Sequence, residues 1–173
     1  TRRSSDLHLA GNIGEPMLPL LAKLTAEDWV ILELSSYQLR DLSISPKIGV
    51  MLNITPDHLD QHGDFADYVA AKANLIRFQT EQDWAVINQD YSVTADLASL
   101  TRAQIKWFGG EDFTETGWQL SIPGQHNHEN AAAVMAVAEI LEIDPVIVEK
   151  SLSEFKGLAH RLELVAEING IKF

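Results

Sequence analysis

The stretches Trp29-Val30-Ile31-Leu32-Glu33-Leu34 and Ile48-Gly49-Val50-Met51-Leu52-Asn53 decide the fold class. Both are short and almost continuously apolar, which is typical of strands covered on both faces of a parallel sheet. Residues 84–88 have the same character. Helical patterns separate these runs, and this alternation predicts an α/β fold with a mostly parallel sheet flanked by helices.

Four helices are expected around these strands. The first has Pro16 in its first turn and extends to about residue 24. The second covers residues 65–78 and is capped by Asp64. The segments that follow the last strands, residues 130–141 and 145–155, have helical apolar spacing.

Two shorter apolar runs, residues 105–108 and 118–122, are separated by a Gly- and acid-rich segment. They predict a small antiparallel peripheral sheet. Residues 162–168 alternate like a further strand, and residues 169–173 are typical of the middle of a hairpin. Because the chain starts without methionine and stops inside that hairpin, we expect it to be a fragment of a longer protein.

Composition excludes several classes of function. The absence of cysteine rules out disulfides, thiolate metal sites and cysteine nucleophiles. A net charge of -12 argues against a nucleic-acid-binding surface, so a phosphorylated ligand would need a divalent cation or backbone donors. No apolar run reaches the roughly 20 residues of a membrane span, and the first six residues lack the apolar region that is typical of a secretory signal. We therefore expect a cytoplasmic protein with no nucleic-acid or membrane partner.

Ligands of open α/β sheets bind beyond the carboxyl ends of the strands. Glu33 lies at such an end and is followed by the polar residues 35–38. A carboxylate buried in an apolar strand must be paired, protonated or bound to a metal. The alternative is an acid at a strand end that faces solvent.

The loop after the second apolar run, residues 53–62, concentrates His58 and His62 with two carboxylates, Asp57 and Asp60. Oxygen and imidazole ligands without thiolate suit Mg²⁺ or Mn²⁺ better than structural zinc. The alternative is a polar loop in which the two aspartates cap turns.

Lys72 falls inside the apolar stripe of the predicted helix 65–78. That stripe consists of Phe65, Tyr68, Val69, Leu75 and Ile76. An ammonium is therefore directed toward the interior, where desolvation favours a neutral amine that can react or be modified. The alternative is a lysine whose stem is buried while its head reaches water.

Two further segments offer polar groups to a ligand. Residues 11–14, Gly-Asn-Ile-Gly, precede a predicted helix and offer backbone N–H groups to an anion, unless the glycines only build a turn. Asn127 and Asn130 are three residues apart and therefore share one helix face. Their amides can pair with an adenine edge, unless one of them caps the helix.

Taken in order, these segments resemble the central ATP-binding domain of the Mur ligases over essentially the whole chain. The matching segments are residues 11–14, 33–39, 53–60, 68–72, 124–131 and 157–161. The resemblance implies a P-loop-NTPase-like domain, although no Gly-x-x-x-x-Gly-Lys-Ser/Thr loop occurs in this sequence. Residues 1–159 are then a partial central domain without its phosphate loop, and residues 160–173 are the hinge and first strand of a C-terminal domain.

The resemblance also assigns site residues. Glu33, His58 and Lys72 are implied as catalytic and metal-binding residues for Mg²⁺ or Mn²⁺, with Lys72 taking up CO₂ to form a carbamate. The residues implied to contact substrates are Asn12, Ser35, Gln38 and His58 for the UDP-muramoyl compound and Asn127, Asn130 and Arg161 for ATP.

The versions of residues 11–14 and 34–39 present here are similar to those of the D-glutamate-adding branch of the family. This implies a monomeric, ATP-dependent ligase of peptidoglycan synthesis that joins D-glutamate to UDP-N-acetylmuramoyl-L-alanine through an acyl phosphate. This chain alone is expected to be inactive. The alternatives are another Mur ligase, a folylpolyglutamate-synthase-like glutamate ligase, or a non-catalytic nucleotide-binding domain.

Overall fold

The computed structural model describes residues 6–56 and 63–158, together with the backbone of residues 167–168 and 171–172. The strands are β1 (Leu7–Gly11), β2 (Trp29–Glu33), β3 (Ile48–Met51), β4 (Trp84–Asn88), β5 (Gln104–Phe108), β6 (Glu167–Ile168) and β7 (Ile171–Lys172). The helices are α1 (Met17–Leu20), α2 (Ser36–Arg40), α3 (Phe65–Arg77), α4 (Ser92–Leu97), α5 (Gly110–Thr116), α6 (Gln125–Ile140) and α7 (Pro145–Glu154), and a 3-10 turn covers Ala98–Leu100.

Parallel pairing dominates the described strands. β1 pairs with β2, and β3, β4 and β5 form a second sheet in that order, with every one of these pairs parallel. The amino ends of β2, β3 and β4 line a common cavity of about 390 Å³ together with the carboxyl end of α6. The prediction of an α/β fold with a mostly parallel sheet and flanking helices is confirmed.

Helices cover the sheet of β3, β4 and β5 on both faces. The alternation of side chains along β4 sends Val86 into a core with α5, α6 and α7, and sends Ala85 and Ile87 into a core with α3 and α4. All three of these β4 side chains have no exposed surface. This sandwich explains why β4 is apolar along its whole length.

Three of the predicted helices form close to their expected bounds. Asp64 caps α3, with its carboxylate accepting the Asp67 N–H at 2.9 Å. Asp144 caps α7 in the same way, directly before Pro145. α6 begins five residues earlier than the predicted start at residue 130 and therefore includes Asn127 and Asn130.

Two expectations about the first third of the chain are wrong. The first helix is a single turn, Met17–Leu20, and Pro16 precedes it instead of lying in its first turn. Of the predicted apolar face, Leu20 is buried, whereas Leu18 and Leu21 are exposed. β2 is not a covered strand, because Ile31 is 55% exposed and its hydrogen-bonded neighbour among the described residues is β1 alone.

The predicted antiparallel peripheral sheet is also wrong for residues 105–108 and 118–122. The first run is β5, which pairs parallel with β4, and the second forms no strand. The segment between them forms α5, because Glu111 and Asp112 favour a helix amino end and Gly117 closes the helix in the left-handed region at φ 72°.

At the end of the chain, β6 and β7 form an antiparallel pair, as the hairpin pattern predicts. The proposed boundary between residues 159 and 160 lies outside the described residues. Within the described part of the chain, no helix has the length and apolar character needed to cross a bilayer.

Candidate nucleotide and metal site

The carboxyl ends of β1 and β2 are joined closely at Gly11 and Glu33, which are partners in the parallel register. The Asn12 N–H donates to the Glu33 carbonyl oxygen at 3.0 Å. Gly11 has φ +107°, and a Cβ there would lie 2.2 Å from the same oxygen. Glycine is therefore required for the chain to leave β1 and bring Asn12 to the end of β2.

Glu33 is exposed at the end of β2. Of the two interpretations that the sequence left open, a carboxylate buried in the strand and an acid facing solvent, the second describes the structure. An exposed carboxylate at the carboxyl edge of a parallel sheet is still available to a cation. Its role as a metal ligand stays a prediction.

Ser35 and Gln38, both predicted to bind substrate, form a reciprocal cap at the start of α2. The Ser35 hydroxyl oxygen accepts the Gln38 N–H at 3.3 Å, and the Gln38 side-chain oxygen accepts the Ser35 N–H at 2.9 Å. These contacts satisfy the amino end of a helix of only five residues. The two side chains thus have a structural role that the sequence argument did not assign.

Lys72 is half-buried on α3. Its ammonium lies 5.2 Å from the centre of the buried Tyr68 ring, one turn earlier on the same helix. A cation over an aromatic face is stabilised, which explains how a lysine is accommodated within the apolar stripe. Carbamate formation would have to replace this contact, and it stays a prediction.

Asn74 lies on α3, the helix that carries Lys72, and connects it to α2, the helix that begins with the cap of Ser35 and Gln38. Its side-chain amide donates to the carbonyl oxygens of Leu39 and Arg40, at 3.0 and 3.1 Å, at the end of α2. Asn74 is only 7% exposed. This buried contact fixes α2 on α3 and was not anticipated from the sequence.

Asn127 and Asn130 lie in the first turns of α6, as neighbours on one face. The Asn130 amide donates to the Asn127 side-chain oxygen at 3.4 Å, and the Asn127 amide donates to the Pro123 carbonyl. The prediction of a shared face is confirmed. The alternative that one of them caps the helix is wrong, because Gly124 holds that position.

A polar cluster that the sequence argument missed lies at the carboxyl end of β4. The Tyr91 hydroxyl donates to both oxygens of Glu129, at 3.2 and 3.0 Å, and the Asn88 amide donates to the same carboxylate at 3.3 Å. The hydrogen bond to Glu129 raises the pKa of the Tyr91 hydroxyl, since ionisation would place two negative charges together.

Two glycines let carboxylates approach the backbone beside this cluster. The Gly110 N–H donates to Asp90 at 2.8 Å. A Cβ on Gly109 would lie 2.6 Å from Asp90, and one on Gly110 would lie 3.2 Å from Glu129. The start of α5 is therefore packed directly against the acids at the ends of β4 and α6.

The structure gathers the predicted residues in separate local sets. Asn12 and Glu33 meet at the β1 and β2 edge, whereas Asn127 and Asn130 lie on α6, which packs on β4 and β5. His58 and Arg161 lie outside the described residues, as do Asp57, Asp60 and His62. Within residues 6–56 and 63–158, no three His, Asp or Glu side chains are grouped as metal ligands.

A sequence signal for the missed cluster did exist. The polar run of residues 88–91 directly follows the apolar strand β4, in the position that drew attention to Glu33 after β2. Glu129 stands between the two asparagines of α6. What the sequence could not supply is the contact itself, because Tyr91 and Glu129 are 38 residues apart.

The family model described as the Mur ligase middle domain matches residues 10–138. The chain belongs to the Mur ligase family. The match includes all the local sets of residues described above and ends within α6.

Two curated relatives with similar sequences carry the same name. UDP-N-acetylmuramoylalanine--D-glutamate ligase of Streptococcus suis (strain 98HAH33) is 38% identical over 183 residues, which covers 95% of this chain and 41% of that protein. The protein of the same name from Pelotomaculum thermopropionicum is 36% identical over 188 residues, with the same coverage. The chain thus spans about two fifths of the length of these relatives.

Solved Mur ligase structures share the fold. MurF from Acinetobacter baumannii superposes with a TM-score of 0.71 at 19% identity, over 95% of this chain and 49% of that one. UDP-N-acetylmuramate:L-alanyl-gamma-D-glutamyl-meso-diaminopimelate ligase from Neisseria meningitides gives 0.62 at 16% identity, over 90% and 68%. At these identities the likeness extends to the fold alone.

Proposed function

We propose that this chain is part of an ATP-dependent ligase that adds D-glutamate to UDP-N-acetylmuramoyl-L-alanine in peptidoglycan synthesis. The observation that carries the proposal is the 38% identity, over 95% of the chain, to a relative of that name. The carboxyl edge of the parallel sheets supports it, because Asn12, Glu33, Asn53 and Asn88 all lie at or just beyond strand ends there.

In this proposal the chain supplies the adenine side and part of the metal side of the active site. The paired amides of Asn127 and Asn130 offer a donor and an acceptor to an adenine edge, and Arg161 contacts the nucleotide. Asn12, Ser35, Gln38 and His58 contact the UDP-muramoyl substrate. The cap at the start of α2 holds Ser35 and Gln38 in fixed rotamers, which favours preorganised binding.

Glu33, His58 and a carbamate on Lys72 are proposed to hold Mg²⁺ or Mn²⁺. Carboxylate, imidazole and carbamate donors fit these ions, and the exposed Glu33 side chain can reach one. When bound, the ion would offset the negative charge that develops on the transferring phosphoryl group. The substrate carboxylate attacks the γ-phosphorus of ATP and displaces ADP, and the D-glutamate amine then displaces phosphate from the acyl phosphate.

We further propose that residues 1–159 belong to a central ATP-binding domain and that residues 160–173 begin a C-terminal domain. The family match to residues 10–138 supports the first assignment. The complete protein is proposed to be a cytoplasmic monomer.

The activity is tested on the complete protein by measuring phosphate release with each substrate omitted in turn. We expect release to require ATP, UDP-N-acetylmuramoyl-L-alanine and D-glutamate together. Replacing D-glutamate by L-alanine, meso-diaminopimelate, L-lysine or D-alanyl-D-alanine should abolish it. Preference for another amino acid, or for a folate acceptor, would contradict the proposed substrate.

The role of Lys72 is tested by Lys72→Ala, for which we expect a loss of more than about 100-fold in kcat, because both metal charge and position depend on the carbamate. Depletion of CO₂ should slow the unsubstituted enzyme in the same direction. Lys150→Ala, on the exposed face of α7, is the matched control and should leave the rate unchanged. Undiminished turnover by Lys72→Ala would exclude the carbamate role.

A further inference from the structure

The hydrogen-bonded pair of Tyr91 and Glu129 connects the segment after β4 to the first turns of α6. Tyr91 lies between β4 and α4, directly before the first residue of α4. Its backbone carbonyl accepts hydrogen bonds from the Ala95 N–H at 3.0 Å and the Thr94 hydroxyl at 2.8 Å. Its main chain is therefore fixed. The hydroxyl of the half-buried Tyr91 side chain reaches across to Glu129 on α6.

Glu129 occupies a particular place on α6. It lies two residues after Asn127 and one before Asn130, so its side chain leaves the helix on a different face from their shared one. Its carboxylate accepts from Tyr91 and from the fully buried Asn88. These donors fix the rotation of the first turns of α6 relative to β4.

Asn88 and Tyr91 both lie at or just beyond the carboxyl end of β4. Both contact the helix end that carries the asparagine pair. Catalysis of phosphoryl transfer depends on the relative placement of nucleotide and metal, and displacements near 1 Å are costly.

We propose that the Tyr91 hydroxyl and the Glu129 carboxylate act as positioning groups that set the asparagine pair of α6 relative to the carboxyl end of β4. This inference rests on the proposed ligase function and extends it to two residues that do not themselves contact substrate. The bond neither breaks nor ionises in the reaction. The hydrogen bond affects nucleotide binding, because that binding requires the start of α6 to be held in a fixed position.

The test is Tyr91→Phe in the complete protein, which removes the hydroxyl and keeps the ring. We expect the KM for ATP, and the dissociation constant of a fluorescent ATP analogue, to rise about tenfold, as is typical for the loss of a hydrogen bond to a charged group. The KM for D-glutamate should not change. Glu129→Leu should weaken ATP binding at least as much as Tyr91→Phe, because it also removes the acceptor of the Asn88 amide. Glu129→Gln keeps an acceptor for the hydroxyl and should be milder.

Two comparisons separate positioning from plain stability. The double variant Tyr91→Phe with Glu129→Leu should be no worse in ATP affinity than Glu129→Leu alone, since the bond to Tyr91 is already lost in that variant. Glu139→Gln, farther along α6 and paired with Lys106, is the matched control and should leave ATP affinity unchanged.

Unaltered ATP affinity in Tyr91→Phe, or a lower melting temperature as its sole effect, would overturn the inference. If the unsubstituted complete protein forms no amide product, the proposed ligase function fails instead. The affinity measurement with the fluorescent analogue remains decisive for the pair in that case, because it does not depend on turnover.

Discussion

β2 and β4 begin with the same turn but are covered differently. In residues 25–29 and 80–84, a threonine is followed three residues later by an aspartate and then by the tryptophan that starts the strand. The Thr25 N–H donates to the Asp28 carboxylate at 2.8 Å, and the Thr80 N–H donates to Asp83 at 2.7 Å. Each aspartate N–H returns a bond to the threonine carbonyl.

After the tryptophan the two strands diverge. Ile31 in β2 is 55% exposed, whereas Ile87 in β4 has no exposed surface. β4 lies between two strands and under helices on both faces, while β2 pairs with β1 alone among the described strands. Local sequence therefore determines the turn and the strand, and the rest of the chain determines whether the apolar side chains are buried.

The largest expected effect tests this difference directly with one substitution in each strand. Ile87→Ala should lower the free energy of unfolding of this chain by about 3 kcal/mol, because it removes packed methylene groups and leaves a cavity. Ile31→Ala should change it by less than about 0.5 kcal/mol, because the side chain is largely in water. Urea unfolding followed by circular dichroism measures both.

Equal losses in the two variants would show that β2 is as well covered as β4 in solution. The comparison becomes sharper in the complete protein, of which this chain is proposed to be a part. A cost for Ile31→Ala that approaches that of Ile87→Ala there would mean that another segment covers β2.

The contrast also explains which parts of the fold the sequence could predict. β3, β4 and α3 follow from local patterns, because a continuous apolar run and a capped amphipathic stripe each select one element. The exposure of β2 could not follow, since its apolar residues predict a cover that the described part of the chain does not provide. The acids of α5 were interpreted as loop residues, although acids also stabilise the first turn of a helix.

The same limit applies to the site. The shared face of Asn127 and Asn130 follows from a spacing of three, and the structure confirms it. The link from Tyr91 to Glu129 depends on how β4 and α6 pack, which no local spacing contains. The roles of Glu33 and Lys72 were inferred from resemblance, and they stay predictions.

A smaller effect is expected from Gly11→Ala, which alters the β1 and β2 region alone. Gly11 has φ +107°, and the new methyl group would lie 2.2 Å from the Glu33 carbonyl oxygen. We expect a local loss of about 1–3 kcal/mol. Hydrogen exchange should accelerate at the amides of β1 and β2 and stay unchanged in β4, if the two regions unfold separately.

Gly117→Ala is the control for this variant. Gly117 also has a positive φ, +72°, but no atom lies within 4 Å of the added methyl group. Exchange in β1 and β2 should stay at its original rate in this control. Faster exchange throughout β4 in Gly11→Ala would show that the two sheets unfold as one unit, against the comparison.

The smallest expected effect concerns Asp28, in the turn before β2, and the pKa of its carboxyl group. The N–H groups of Thr25 and Asp6 donate to Asp28 and hold its pKa below the ordinary value of 3.8, with His8 contributing least. A lowered folded-state pKa stabilises the turn above the unfolded value, and this stabilisation is lost as pH falls through the folded pKa. Protection of the Thr25 and Asp6 amides from hydrogen exchange should therefore decrease below about pH 4.

Asp28→Asn should remove that pH dependence, and Asp83→Asn, in the matching turn before β4, should leave it intact. A pH dependence that persists in Asp28→Asn would assign it to another group.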